Sequence, residues 1–113
     1  MAEKIININD REVKFVVNGL TPVTYMSQHG NDFMEDFLKL EKGLTGQGKL
    51  DTMALYNIVF ICAKNADKNI DTLEDWLESF EDGFPVFDVI GDLMPLLQKN
   101  FTSNKKDKLA RKK

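Results

Sequence analysis

A chain of 113 residues with 42% hydrophobic content is long enough for one modest core and short for more than one domain. Its single cysteine, Cys62, excludes a disulfide framework, and with His29 as its single histidine a zinc site inside one copy lacks ligands. The net charge of −3 conceals an acidic body and a basic end: residues 1–101 hold 9 Lys+Arg against 17 Asp+Glu, giving −8, and residues 102–113 hold 6 against 1, giving +5. Residues 1–8 lack the long apolar centre of a signal peptide, and no apolar run approaches the roughly 18 residues of a membrane helix. The expectation is a soluble protein of a reducing cytoplasm, with no cofactor, no metal and no membrane partner.

In chain order, Ile6 and Ile8, then Val13, Phe15 and Val17, alternate on either side of the turn formers Asn9 and Asp10, which predicts a β-hairpin. A lone hairpin is marginal in water, so it must pack on helices, pair with another copy, or do both. Thr21 before Pro22 is an N-cap and first-turn signature for a short helix through Tyr25 that closes near Gly30. Asp32 with Glu35 forms a capping-box-like pair for a second helix, with Phe33, Phe37 and Leu40 plus Met34 and Leu38 as its buried face and Gly43 as its end. Residues 43–48 then make a flexible connector.

Asp51 can cap a third helix whose Met53, Leu55, Ile58, Val59, Ile61 and Cys62 are apolar nearly all round, as in a central helix enclosed by others. Asp71 or Thr72 caps a fourth, carrying Trp76. Gly83 and Pro85 break the chain before a last helix over about 86–101, with two seams, Val86, Val89, Leu93, Leu96 and Phe87, Ile90, Met94, Leu97, and a kink expected where Pro95 opposes the Gly91 carbonyl. The fold class predicted is α+β, mainly α: a hairpin over about 4–17, then a compact bundle of about four to five helices over about 22–101, forming a single globular domain 1–101 with a basic disordered tail at 102–113.

Reaction chemistry finds little support. The run Gly43-Leu44-Thr45-Gly46-Gln47-Gly48-Lys49 has the spacing of a phosphate-binding loop, but Leu50 stands where Ser or Thr must bind magnesium, and a helix precedes the loop where the motif needs a strand. His29 can cap the predicted helix end at Gly30 or face solvent. Cys62 lies on the most apolar helix, where a thiol is inert packing. The acid pairs Glu74, Asp75 and Glu81, Asp82 have no companion residue that would make them an acid/base dyad, so catalytic, cofactor and metal residues are all expected to be none.

Binding is better supported. Between Asp67 and Asp92, nine carboxylates, answered only by Lys68, surround Leu73, Trp76, Leu77 and Phe80, which fall at i, i+3, i+4, i+7 on one helix face. A tryptophan on such a stripe belongs first to a core. The fourth helix competes with the third and the last for one small interior, however, so Leu73, Trp76, Leu77 and Phe80 with Glu74, Asp75 and Glu78 form the candidate partner-binding set.

Several segments carry a family resemblance. Gly19-Leu20-Thr21-Pro22 with Tyr25, Gly30-Asn31-Asp32-Phe33 and Asp36-Phe37-Leu38-Lys39-Leu40 resemble the amino-terminal half of tail assembly chaperones from long-tailed phages and prophages of Gram-positive bacteria. Ala63-Lys64-Asn65-Ala66-Asp67, Glu74-Asp75-Trp76-Leu77-Glu78-Ser79-Phe80-Glu81 and Leu96-Leu97-Gln98-Lys99-Asn100 before a lysine-rich end are similar to that family's closing pattern, with Leu97 near the place of an expected tryptophan. The resemblance implies a non-enzymatic protein of the bacterial host cytoplasm that binds the tape measure protein, helps recruit tail tube protein and is absent from the mature virion; a ribosomal frameshift commonly appends a second domain in such systems. Two rival expectations are a structural tail or head-tail joining protein, and a nucleic-acid-binding module using Lys105, Lys106, Lys108, Arg111, Lys112 and Lys113. The second is opposed by the body's charge of −8 and by the lack of an aromatic residue after Phe101 to stack on bases.

Overall fold

A computed structural model of the chain describes residues 2–103. Strands β1 (Ala2–Ile8) and β2 (Arg11–Val17) pair antiparallel in a two-stranded sheet, in register from Ala2 opposite Val17 to Ile8 opposite Arg11. Asn9 and Asp10 turn the chain at φ 52° and 68°, the pair of left-handed residues that a two-residue hairpin loop matched to strand twist requires. The Asn9 side chain donates to the Gly83 carbonyl at 2.9 Å, tying the tip to a distant loop.

Five α-helices follow: α1 (Thr21–His29), α2 (Phe33–Leu44), α3 (Thr52–Ala66), α4 (Leu73–Glu78) and α5 (Val86–Gln98), with a π-helical turn over Lys99–Ser103. This is the expected α+β, mainly helical architecture. The predicted caps form at three helices. The side chains of Asp32, Asp51 and Thr72 accept the amides of Glu35, Ala54 and Asp75, satisfying donors that a helix start leaves free. Helix α1 ends at Gly30, whose φ of 76° suits a residue without a Cβ.

Helix α3 is the centre of the molecule, packed on β2, α1, α2 and α5. Leu55, Ile58, Val59, Phe60, Ile61, Cys62 and Ala63 are buried along it. From the hairpin come Ile6, Ile8, Val13, Phe15 and Val17; from the other helices come Tyr25, Phe33, Phe37, Leu40, Trp76, Val89, Ile90, Leu93 and Leu97.

Several expectations are corrected. Thr21 is not the cap of α1: its hydroxyl accepts the Asn18 amide at 3.0 Å and the Asn65 side chain at 2.8 Å, so it joins α1 to α3. Met53 is 59% exposed and Leu38 is also exposed: the first turn of α3 packs through Ala54 and Leu55, and α2 through Phe33, Phe37 and Leu40 with Met34 half-buried against the core. Helix α2 continues through Gly43 to Leu44. A Cβ on Gly43 would meet the Leu50 Cα at 2.8 Å, so the returning chain lies directly on that glycine. Helix α5 buries Val86, Val89 and Leu93 from one expected seam and Ile90 and Leu97 from the other, so both reach the core, and of the eight seam residues only Phe87, 57% exposed, stays outside. Pro95 lies inside the helix, as expected. Of the expected basic tail, residues 102 and 103 belong to the π-helical turn, and the rest, including Lys105, Lys106, Lys108, Arg111, Lys112 and Lys113, lies outside the described residues.

Candidate partner-binding surface

Helix α4 has six residues, too few to persist in water without tertiary contacts. Its anchor is Trp76, 5% exposed. The indole meets Phe15 edge-on at 6.4 Å, Phe60 at 5.8 Å, Phe80 edge-on at 5.2 Å and Phe84 at 5.1 Å, clamping α4 onto β2 and α3. Phe80, just past the helix, is buried too, with the Arg11 guanidinium 4.1 Å from its ring centre. Arg11 also donates to the Ser79 hydroxyl at 2.8 Å, and Ser79 donates to the Trp76 carbonyl at 2.6 Å. The Trp76 Nε1 is buried without an acceptor among the described residues, so packing must offset its desolvation.

The candidate set therefore divides by depth. Trp76 and Phe80 are core, Leu73 and Leu77 are half-buried, and Glu74, Asp75 and Glu78 are exposed. Asp71, Glu81 and Asp82 are exposed beside them. Among the described residues the ion pairs are Lys14 with Glu3 at 3.3 Å and Lys39 with Glu35 at 3.5 Å, so the carboxylates of α4 have no basic counterpart there. Glu74 and Asp75 lie in the first helical turn, where the positive end of the helix dipole favours them.

Next to this surface the start of α4 joins the end of α1 and the outer side of α3 around a groove of about 400 Å³, lined by Leu73 and Glu74 opposite Met53, Asn57 and His29. Beyond Met53 lies a second, mainly apolar hollow of about 490 Å³, lined by Lys39, Lys49 and Leu50. The exposed Met53 forms a shared wall between the groove at Glu74 and the hollow at Lys39, Lys49 and Asp51. Sequence periodicity missed Met53 because it fits the apolar pattern of α3, and nothing local marks where the neighbours of that helix stop.

His29 neither caps a helix end nor simply faces water. Its ring lies 4.8 Å from Tyr25 and 6.2 Å from Phe60, and its buried Nε2 has no partner among the described residues. Burial lowers its pKa from 6.5, with the Asp36 carboxylate opposing. Behind it the Tyr25 hydroxyl donates to Asp36 Oδ2 at 2.7 Å, a buried bond joining α1 to α2 that no sequence pattern marked. Burial, then that bond, raises the phenol's pKa well above its ordinary value. Cys62 is fully buried and its thiol is pushed up to about 12, which suits packing and not nucleophilic attack. Among the described residues no three His, Cys, Asp or Glu side chains are grouped to hold a metal ion, and no helix is long and apolar enough to cross a membrane. Helix α2 precedes the 43–49 loop, which lacks the strand that a phosphate loop follows.

Compared with protein-family models, with curated proteins and with solved structures, the chain matches none.

Proposed function

We propose that this chain is a non-enzymatic tail assembly chaperone of a long-tailed phage or prophage, acting in the bacterial host cytoplasm, absent from the mature virion, and binding the tape measure protein while the tail is built. The family resemblance supplies that identity. The observation that carries the binding role is the exposed row Glu74, Asp75 and Glu78, without an ion pair among the described residues, beside a groove walled by Leu73 and the exposed Met53. A tape measure protein is a long helical chain with apolar stripes. Such a chain can place apolar side chains on Met53 and Leu73 and basic ones against the α4 carboxylates, in the helix-in-groove mode. The task is to cover surface, which needs no reacting group.

The reading is tested by co-purification from infected or induced cells, followed by mass spectrometry of purified particles. Recovery with the tape measure protein from lysates, and absence from particles, is the expected result. Retention in particles would favour the structural tail or head-tail joining role, and tight, salt-sensitive binding of random DNA by the full chain would favour a nucleic-acid module.

A further inference from the structure

The hairpin is a two-stranded sheet, so among the described residues neither of its outer edges carries a further strand. Beside β2 run Asp67, Ile70 and Trp76, which share a hollow with Glu12, Val13 and Lys14. Among the described residues, no backbone hydrogen bond from outside the hairpin reaches Ala2–Ile8. Glu3, Lys4 and Ile5 are consecutive and all exposed, so both faces of β1 are open there as well as its edge. Ile5, the middle residue of the strand, is 57% exposed. An open edge centred on an isoleucine is a template for another strand.

The two-residue turn determines which groups that edge offers. A hairpin loop of this kind closes on a hydrogen-bonded pair, here Ile8 with Arg11, and hydrogen-bonded and non-hydrogen-bonded pairs alternate from there. Ile6, Lys4 and Ala2 thus direct their amides and carbonyls toward β2. Asn7, Ile5 and Glu3 direct theirs outward.

We propose that β1 pairs antiparallel with β1 of a second copy of this chain, on a two-fold axis through Ile5, merging the two hairpins into one four-stranded sheet. Charge and register select this arrangement. Centring on Ile5 uses all seven residues of β1. It sets Glu3 against Asn7 of the other copy, Lys4 against Ile6 and Ile5 against its own counterpart, with no like charges opposed. The outward amides and carbonyls of Glu3, Ile5 and Asn7 then face one another as hydrogen-bonded pairs. Shifting the axis to Lys4 opposes two lysines, shifting it to Glu3 opposes two glutamates, and shifting it to Ile6 shortens the ladder to residues 4–8. The contact is isologous and closes at a dimer, and the Lys14–Glu3 ion pair stays on the outer face.

The test is a cysteine scan in the full chain, replacing Glu3, Lys4, Ile5 and Asn7 one at a time, with disulfide formation read after mild oxidation; buried Cys62 leaves the background silent. In a hydrogen-bonded antiparallel pair the Cα atoms stand about 5.5 Å apart, within disulfide reach. Ile5→Cys should therefore give a covalent dimer, and the other positions should not. By sedimentation equilibrium the wild-type chain should be a dimer, and Ile5→Lys should weaken it roughly tenfold by opposing two charges on the axis, with an unchanged circular dichroism spectrum. A monomeric wild-type chain, crosslinking that favours another position, or a dimer indifferent to Ile5→Lys would overturn the proposal. None of these results bears on tape measure binding.

Discussion

Trp76 contacts Phe15, Phe60, Phe80 and Phe84, which come from β2, α3, the end of α4 and the loop before α5. Trp76→Ala should cost about 3–5 kcal/mol, the range for emptying an aromatic site that cannot collapse, measured as a fall in denaturation midpoint. An unchanged midpoint would mean that the indole does not support the core. At His29 the folded-state pKa lies below its ordinary 6.5, so the residue's contribution to stability is full above that value and is lost as the pH falls below it. His29→Phe keeps a ring against Tyr25 and Phe60 without the titration. The variant should lose less stability than wild type between about pH 7.5 and about pH 5.5, and identical losses would refute the assignment. Gly43→Ala sets two effects against each other. Alanine favours a helix by about 1 kcal/mol over glycine, but its Cβ would meet the Leu50 backbone at 2.8 Å, a clash no rotamer relieves. Net destabilisation is expected in a thermal melt, and a stabilised variant would show that the Leu50 segment moves away freely.

At the scale of elements, what was legible in the sequence was what is decided locally. Asn9-Asp10 must turn, and Asp32, Asp51 and Thr72 cap because each lies three residues before an amide that needs an acceptor. Gly30 ends a helix through its own backbone freedom. Periodicity found α2, α3, α4 and α5 for the same reason. It could not show where a packed face ends. Met53, Leu38 and Phe87 continue apolar patterns yet are exposed, because how far a neighbouring element extends depends on chain distant in sequence. Thr21 carried a cap signature, but Asn18 and Asn65 hold its hydroxyl, and Asn65 is 44 positions away. The candidate site was half legible for the same cause. The acidic face of α4 is contiguous in sequence, whereas the groove beside it takes His29, Met53 and Leu73 from three helices.

Across the described residues, one central helix organises the core, and a row of carboxylates without an ion pair there lies on a short helix clamped from beneath. That division lets surface and stability be changed separately, since Glu74 and Glu78 are exposed and Trp76 is not. Exposed charge substitutions typically change stability by less than about 0.5 kcal/mol, and reversing Glu74 in the first turn of α4 adds the loss of a dipole interaction of about 0.3–1 kcal/mol, so the double variant stays folded while its surface potential reverses. The most direct measurement of the proposed role is the soluble fraction of the tape measure protein encoded beside this chain on co-expression with wild type and with the double variant Glu74→Lys, Glu78→Lys, the melting temperature of each form of the chain being checked in parallel. Wild type should keep the tape measure protein soluble, and the folded double variant should lose most of that effect; a tape measure protein that stays insoluble beside the wild-type chain, or one kept equally soluble by the double variant, would contradict the account.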